Sequence, residues 1–215
     1  ALVLTTSIHA QESADRTHTH VFTEDPQPVQ DARLSNVRHT DTVFRMPEFE
    51  SREEWEAFAD VLRKRLLIST GLYPLPDRHD LNARVFDRIQ LDDYSIEKVH
   101  FEAWPGFYVT GNLYRPVGEG PFPAVLMPHG HWEHGRLEDG ERGSVPARAI
   151  TFARMGAIAL TIDMVGYNDS CQLEHRWGDD KLKLWVLHPF AVQLWSSIRS
   201  VDFLKSLSDV DKERI

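Results

Sequence analysis

A single cysteine, Cys171, is all the thiol this 215-residue chain carries. An intrachain disulfide is therefore impossible, and a metal site built on several thiolates is excluded. Positive charge is also short: 24 Lys and Arg stand against 33 Asp and Glu, a formal net charge of −9. No basic stripe interrupts that excess. Phosphate backbones are held by clustered Lys and Arg, so nucleic acid is not an expected partner. The acidity reads as a solvated surface. No apolar run reaches the roughly 18 residues of a membrane span, so no membrane partner is expected either. There is no internal repeat and no low-complexity block.

The first ten residues, Ala1 to Ala10, run from apolar to small and polar without an initiator Met. They read as the remnant of a secretory signal peptide with Ala10 before the cut, which predicts a secreted or periplasmic protein. Residues 11 to about 45 mix Asp, Thr, His, Gln and Pro without a period and read as an extended arm. His18 and His20 in that arm are read as solvated rather than metal-binding.

Ser51 with Glu54 three residues later forms a capping box. Trp55, Phe58, Ala59, Leu62, Leu66 and Leu67 then recur at helical spacing, and Gly71 is the expected stop. This helix is expected to pack its apolar stripe on the main domain, so residues 11–95 form an arm and helical extension. From Ser95 the period becomes two. Ile96 to Glu102 and Phe107 to Tyr114 flank Pro105-Gly106, which predicts a β-hairpin with a type II turn. Phe122 to Pro128 and Ala157 to Asp163 are apolar runs of strand length, separated by a helix from about Val145 to Met155. That alternation predicts a buried parallel sheet. A long helix follows from about Phe190 to Leu207, carrying Val192, Trp195, Ile198, Val201, Phe203 and Leu204.

Several strings now carry a family resemblance. They are Phe107 to Pro116 (FYVTGNLYRP), Pro128-His129-Gly130-His131, the turn Asp163-Met164-Val165-Gly166-Tyr167-Asn168-Asp169-Ser170, and Ser197 to Leu204 (SIRSVDFL). Together they resemble the first half of an α/β-hydrolase, in the acetyl-xylan-esterase-like and dienelactone-hydrolase-like branch. The resemblance covers residues 96–215. It implies an α/β fold: the N-terminal half of a hydrolase sheet, with hairpin, parallel strands and flanking helices, preceded by the helical extension. It implies a serine-type carboxylic-ester hydrolase that needs no cofactor and acts on a small-molecule or carbohydrate ester.

Acyl transfer builds negative charge on a carbonyl oxygen, and fixed N–H donors stabilise it. In this family one donor follows the third strand. The resemblance puts it at Gly130 and His131, with the His131 backbone N–H as the donor. His129, Trp132 and Trp177 are pocket candidates, although either Trp equally fits half-buried packing. Asp163 to Ser170 reads as a loop held by its own short polar side chains. No serine sits in a Gly-x-Ser-x-Gly frame. The nucleophile elbow, acid and histidine are therefore expected after Ile215, and this chain alone is expected to be inactive without its C-terminal half. Lacking the next strand, Trp195, Ile198 and Phe203 are expected to be underpacked.

A rival reading rests on His129-Gly130-His131-Trp132-Glu133-His134. It is similar to the zinc motif of metallo-β-lactamase-fold enzymes, with Glu for Asp. There His129, His131 and His134 are the ligands. A non-catalytic fragment is the third alternative.

Overall fold

The computed structural model describes Val21, Gln27, Asp31, residues 39–175, Asp180, Leu184 and residues 188–215. Contacts divide the chain into residues 1–48 and 49–215. In the first unit, Thr42 N–H donates to the His39 carbonyl in a single turn. The signal-like residues 1–10, the pair His18 and His20, and Trp177 lie outside the described residues.

The second unit opens with helix α1 (Arg52–Thr70). Ser51 Oγ accepts the Glu54 N–H at 3.2 Å, and Glu54 Oε2 accepts the Glu50 N–H at 2.9 Å. Gly71 closes the helix in the left-handed region. Both ends fall where the sequence puts them. The packing does not: of the expected stripe, Ala59 is buried and Leu67 touches the core, while Trp55, Phe58, Leu62 and Leu66 are exposed. The helix is anchored through its C-terminal end, by Leu67, buried Thr70 and buried Leu72, while in its N-terminal half Ala59 is buried and Phe58 packs against Phe49 with centroids 5.2 Å apart.

Five strands form one sheet: β1 (Arg84–Gln90), β2 (Tyr94–Trp104), β3 (Phe107–Pro116), β4 (Ala124–Pro128) and β5 (Ile158–Ile162), in the order β1-β2-β3-β5-β4. The β2–β3 hairpin pairs Trp104 with Phe107 across Pro105-Gly106, as its turn residues require. Strand β3 runs antiparallel to β5, and β4 runs parallel to β5 with Ala124 opposite Ile158. At Gly111 a Cβ would stand 2.3 Å from the Thr161 carbonyl oxygen, so only glycine lets β3 come this close to β5. Strand β1 is absent from the sequence reading. It is almost wholly exposed, so no alternation marks it, and it extends the sheet into residues assigned to the helical extension. Strand β4 is at the edge of the sheet. Beyond it the bridge between Phe122 and Val210 begins a further parallel pairing, and the Ala124 N–H donates to the Arg214 carbonyl at 2.9 Å.

Helix α2 (Val145–Arg154) covers one face through Ala149 and Ala153, against Tyr94, Tyr114 and Met127. Helix α3 (Pro189–Ser206) covers the other. The expected underpacking of α3 is not found at two of its three positions. Trp195 and Phe203 are fully buried because the long hairpin covers them. Trp195 Nε1–H donates to the Ala103 carbonyl at 2.8 Å, and Phe203 stacks on Phe101 with centroids 5.0 Å apart. Ile198 is half-buried.

Candidate active site

The carboxyl ends of β4 and β5 lie side by side, because Pro128 is in register with Ile162. Ligands of open α/β sheets bind at this edge. The loop after β4 therefore meets the loop after β5.

His129 joins them. Its ring is buried, and its Nε2 accepts the backbone N–H of Met164 at 3.0 Å. An N–H can only donate, so the ring proton sits on Nδ1, which donates to the Gly130 carbonyl at 2.7 Å. Burial, with Arg136 nearby, lowers the His129 pKa from its ordinary 6.5, although the bond to Gly130 opposes this. The ring is thus neutral and fixed in one tautomer. The Gly130 carbonyl also accepts the Trp132 N–H at 2.9 Å. Two donors so pin the oxygen of the Gly130–His131 peptide. In a trans peptide the N–H points the opposite way, and among the described residues the His131 N–H has no acceptor.

A cavity of about 170 Å³ opens beside His131, with Met164, Leu173, His175, Phe190 and Gln193 among its walls. The walls are tied in place. Gln193 Oε1 accepts the Val165 N–H at 2.9 Å, and His175 Nδ1–H donates to the Val165 carbonyl at 2.8 Å. Tyr167 packs edge-on against both His129 and His175, with centroids 4.9 and 5.0 Å away.

Under this edge lies a buried charge network. Arg136 pairs with the fully buried Asp163, with Asp169 at 2.7 Å, and donates to Asn112 Oδ1 at 2.8 Å. Asp163 also accepts from Thr110 Oγ1 at 2.8 Å and Asn168 Nδ2 at 2.7 Å. All of its partners are internal, so the Asp163–Ser170 loop is a structural clamp. Gly135 sits within it: a Cβ there would be 2.9 Å from Asn168 Nδ2 and 3.0 Å from His129 Nε2.

The sequence candidates therefore separate. His131 lines the cavity and carries the unspent N–H. Gly130 has room for a Cβ against the Trp132 indole, 3.6 Å away, so internal packing does not demand glycine there. His129 supports the loop from below instead of facing a ligand. Trp132 is half-buried under the Arg148 guanidinium and is not part of the cavity wall. The metal trio His129, His131 and His134 is not assembled: both ring nitrogens of His129 are committed. Among the described residues no three His, Cys, Asp or Glu side chains are grouped to hold an ion. Ser144 Oγ caps α2 by accepting the Ala147 N–H at 3.0 Å, and Ser170 Oγ lies 3.0 Å from Thr110 Oγ1. Nothing in the sequence marks Met164, His175 and Phe190 as cavity walls, because no motif or period signals one.

No family model matches the sequence, and no curated protein is similar to it. Solved structures do match. A methylesterase superposes with a TM-score of 0.61 at 24% identity, covering 78% of this chain and 36% of that one. A candidate acetyl xylan esterase from Bacteroides fragilis superposes with a TM-score of 0.62 at 16% identity, covering 76% of this chain and 46% of its own. The chain thus spans less than half the length of either structure. Its fold is that of part of these structures, a partial α/β-hydrolase fold.

Proposed function

We propose that this chain is the first half of an exported serine-type carboxylic-ester hydrolase acting on a small-molecule or carbohydrate ester, and that it supplies one oxyanion donor. The observation that carries this reading is the Gly130–His131 peptide. Its oxygen is held by His129 and Trp132 and its N–H is unspent, beside an apolar cavity that His131 lines. A preorganised N–H is what a developing oxyanion needs, because it costs no reorganisation during the reaction. The esterase names of the two structural neighbours support an ester substrate.

In this reading the nucleophile sits on a strand pairing in parallel with the free edge of β4, continuing the line that the Phe122–Val210 bridge starts. The serine attacks the ester carbonyl, and the His131 N–H takes up the charge on its oxygen. Export is supported by the signal-like residues Ala1 to Ala10, and N-terminal sequencing of the protein from the periplasm or medium tests it.

The decisive experiment uses a longer protein that carries the nucleophile strand. His131→Pro removes the N–H and is expected to lower kcat by roughly 10²–10³, whereas His131→Ala retains most of the activity. Equal and severe losses in both variants would remove the oxyanion role.

A further inference from the structure

Helix α1 leaves four large side chains of one stripe in the open: Trp55 is 49% exposed, Phe58 38%, Leu62 45% and Leu66 48%. Spaced three and four residues apart, they form a single face roughly 16 Å long at 1.5 Å per residue. They expose on the order of 400 Å² of apolar surface, comparable to the largest patch on a typical soluble monomer, and such patches are often functional.

The charges bordering the stripe identify what fits it. Apart from Arg52, which pairs with Glu56 at 2.7 Å, the charges in the N-terminal half of α1 are acidic (Glu53, Glu54, Glu56, Asp60). Those in the C-terminal half are basic (Arg63, Lys64, Arg65), with Arg63 pairing with Asp60 at 2.7 Å. A helix of this polarity is complementary to itself when turned end for end. In helical projection Glu54 and Arg65 lie on one flank of the stripe, and Glu56 and Arg63 on the other. Suppose that two copies pack antiparallel about a twofold axis level with Ala59 and Asp60. Glu54 of each copy then meets Arg65 of the other, and Glu56 meets Arg63. The same register sets Phe58 against Leu62 and Trp55 near Leu66. One axis thus satisfies both flanks and the apolar seam, as a closed symmetric pair requires.

We infer that α1 is a homodimerisation helix and that its partner is a second copy of this chain in antiparallel register. Both helices together bury roughly 800 Å² from the stripe alone. With the flanking residues added, this reaches the lower limit of specific interfaces, so the dimer is weak. The inference is independent of any ester chemistry.

The test is sedimentation velocity on the 215-residue chain in four forms: wild type, Glu54→Lys with Glu56→Lys, Arg63→Glu with Arg65→Glu, and Leu62→Asp. The wild type should show a concentration-dependent monomer–dimer equilibrium. Each charge variant alone should associate at least about tenfold more weakly, because like charges then face each other. An equimolar mixture of the two charge variants should regain the wild-type strength as a heterodimer. This recovery separates α1 pairing from association through the β4 edge. Leu62→Asp should be monomeric. Unchanged helical circular dichroism in all four forms shows that α1 has not simply melted. Dimers indifferent to the charge swaps would overturn the inference. So would wild-type monomers whose Leu62 is protected in hydroxyl-radical footprinting, because another segment of the same chain then covers the stripe. Wild-type monomers with Leu62 unprotected would also overturn it.

Discussion

The Nε2 atom of His129 accepts the backbone N–H of Met164 at 3.0 Å, across 35 residues of sequence. This bond ties the loop after β4 to the loop after β5. It also settles which ring nitrogen is left to hold Gly130.

Replacing the ring removes both bonds and opens a cavity. His129→Ala is expected to destabilise the domain by about 2–4 kcal/mol. Amide exchange at Met164 and Trp132 should quicken more than elsewhere. Urea unfolding and hydrogen exchange measure the two effects; uniform exchange across the domain would mean that His129 does not organise this edge.

Acid should act through the same ring. The folded-state pKa of His129 is lowered from 6.5, first by burial. The unfolded chain therefore binds a proton that the folded chain refuses in the window just below pH 6.5. This contribution is fully present above that pH and is lost as the pH falls through 6.5 toward the folded value. His129→Gln should flatten that part of a Tm-against-pH curve between pH 5 and 8. Parallel curves for the two proteins would assign the acid sensitivity to other groups.

Arg136 and Asp163 make the sharpest charge test. Arg136→Met leaves a fully buried carboxylate without its cation. The expected cost is about 3–5 kcal/mol. Asp163→Asn keeps one carbonyl acceptor, for Thr110 or for Asn168 but not for both, and leaves Arg136 its ion pair with Asp169, so it should cost less than removal of the cation. Equal losses in urea unfolding would contradict an ion-pair clamp.

Under α3, the stack of Phe203 on Phe101 makes Phe203→Ala cost about 3–5 kcal/mol. Trp195→Phe forfeits the bond to the Ala103 carbonyl for about 1–2 kcal/mol. Losses below 1 kcal/mol in both would restore the expectation of a loosely packed helix.

Ester hydrolysis checks the division of labour. The 215-residue chain contains no Gly-x-Ser-x-Gly frame, so p-nitrophenyl acetate should turn over at the buffer rate. A fluorophosphonate probe should label no serine. Labelling of Ser144 or Ser170 would expose an unrecognised nucleophile.

Much of this architecture is legible in the sequence because its causes are local. The ends of α1 follow from Ser51, Glu54 and Gly71, which lie within a turn of the groups they satisfy. The hairpin follows from Pro105-Gly106 and alternation on either side. The apolar runs of β4 and β5 and the helix between them follow from their composition. The His129–His131 loop was legible as a candidate only through its strand-to-loop context and its family likeness.

Tertiary structure alone decided which surfaces are covered and which polar atoms meet. Strand β1 exists because β2 offers it an edge, not because its own residues alternate. The stripe of α1 is apolar in sequence yet exposed, since burial depends on what the rest of the chain brings to it. Arg136 meets Asp163 across 27 residues, and Met164 meets His129 across 35. No spacing rule reaches that far. Helix caps and turns are set by bonds closed within a few residues, whereas these contacts form only once the sheet register has been chosen.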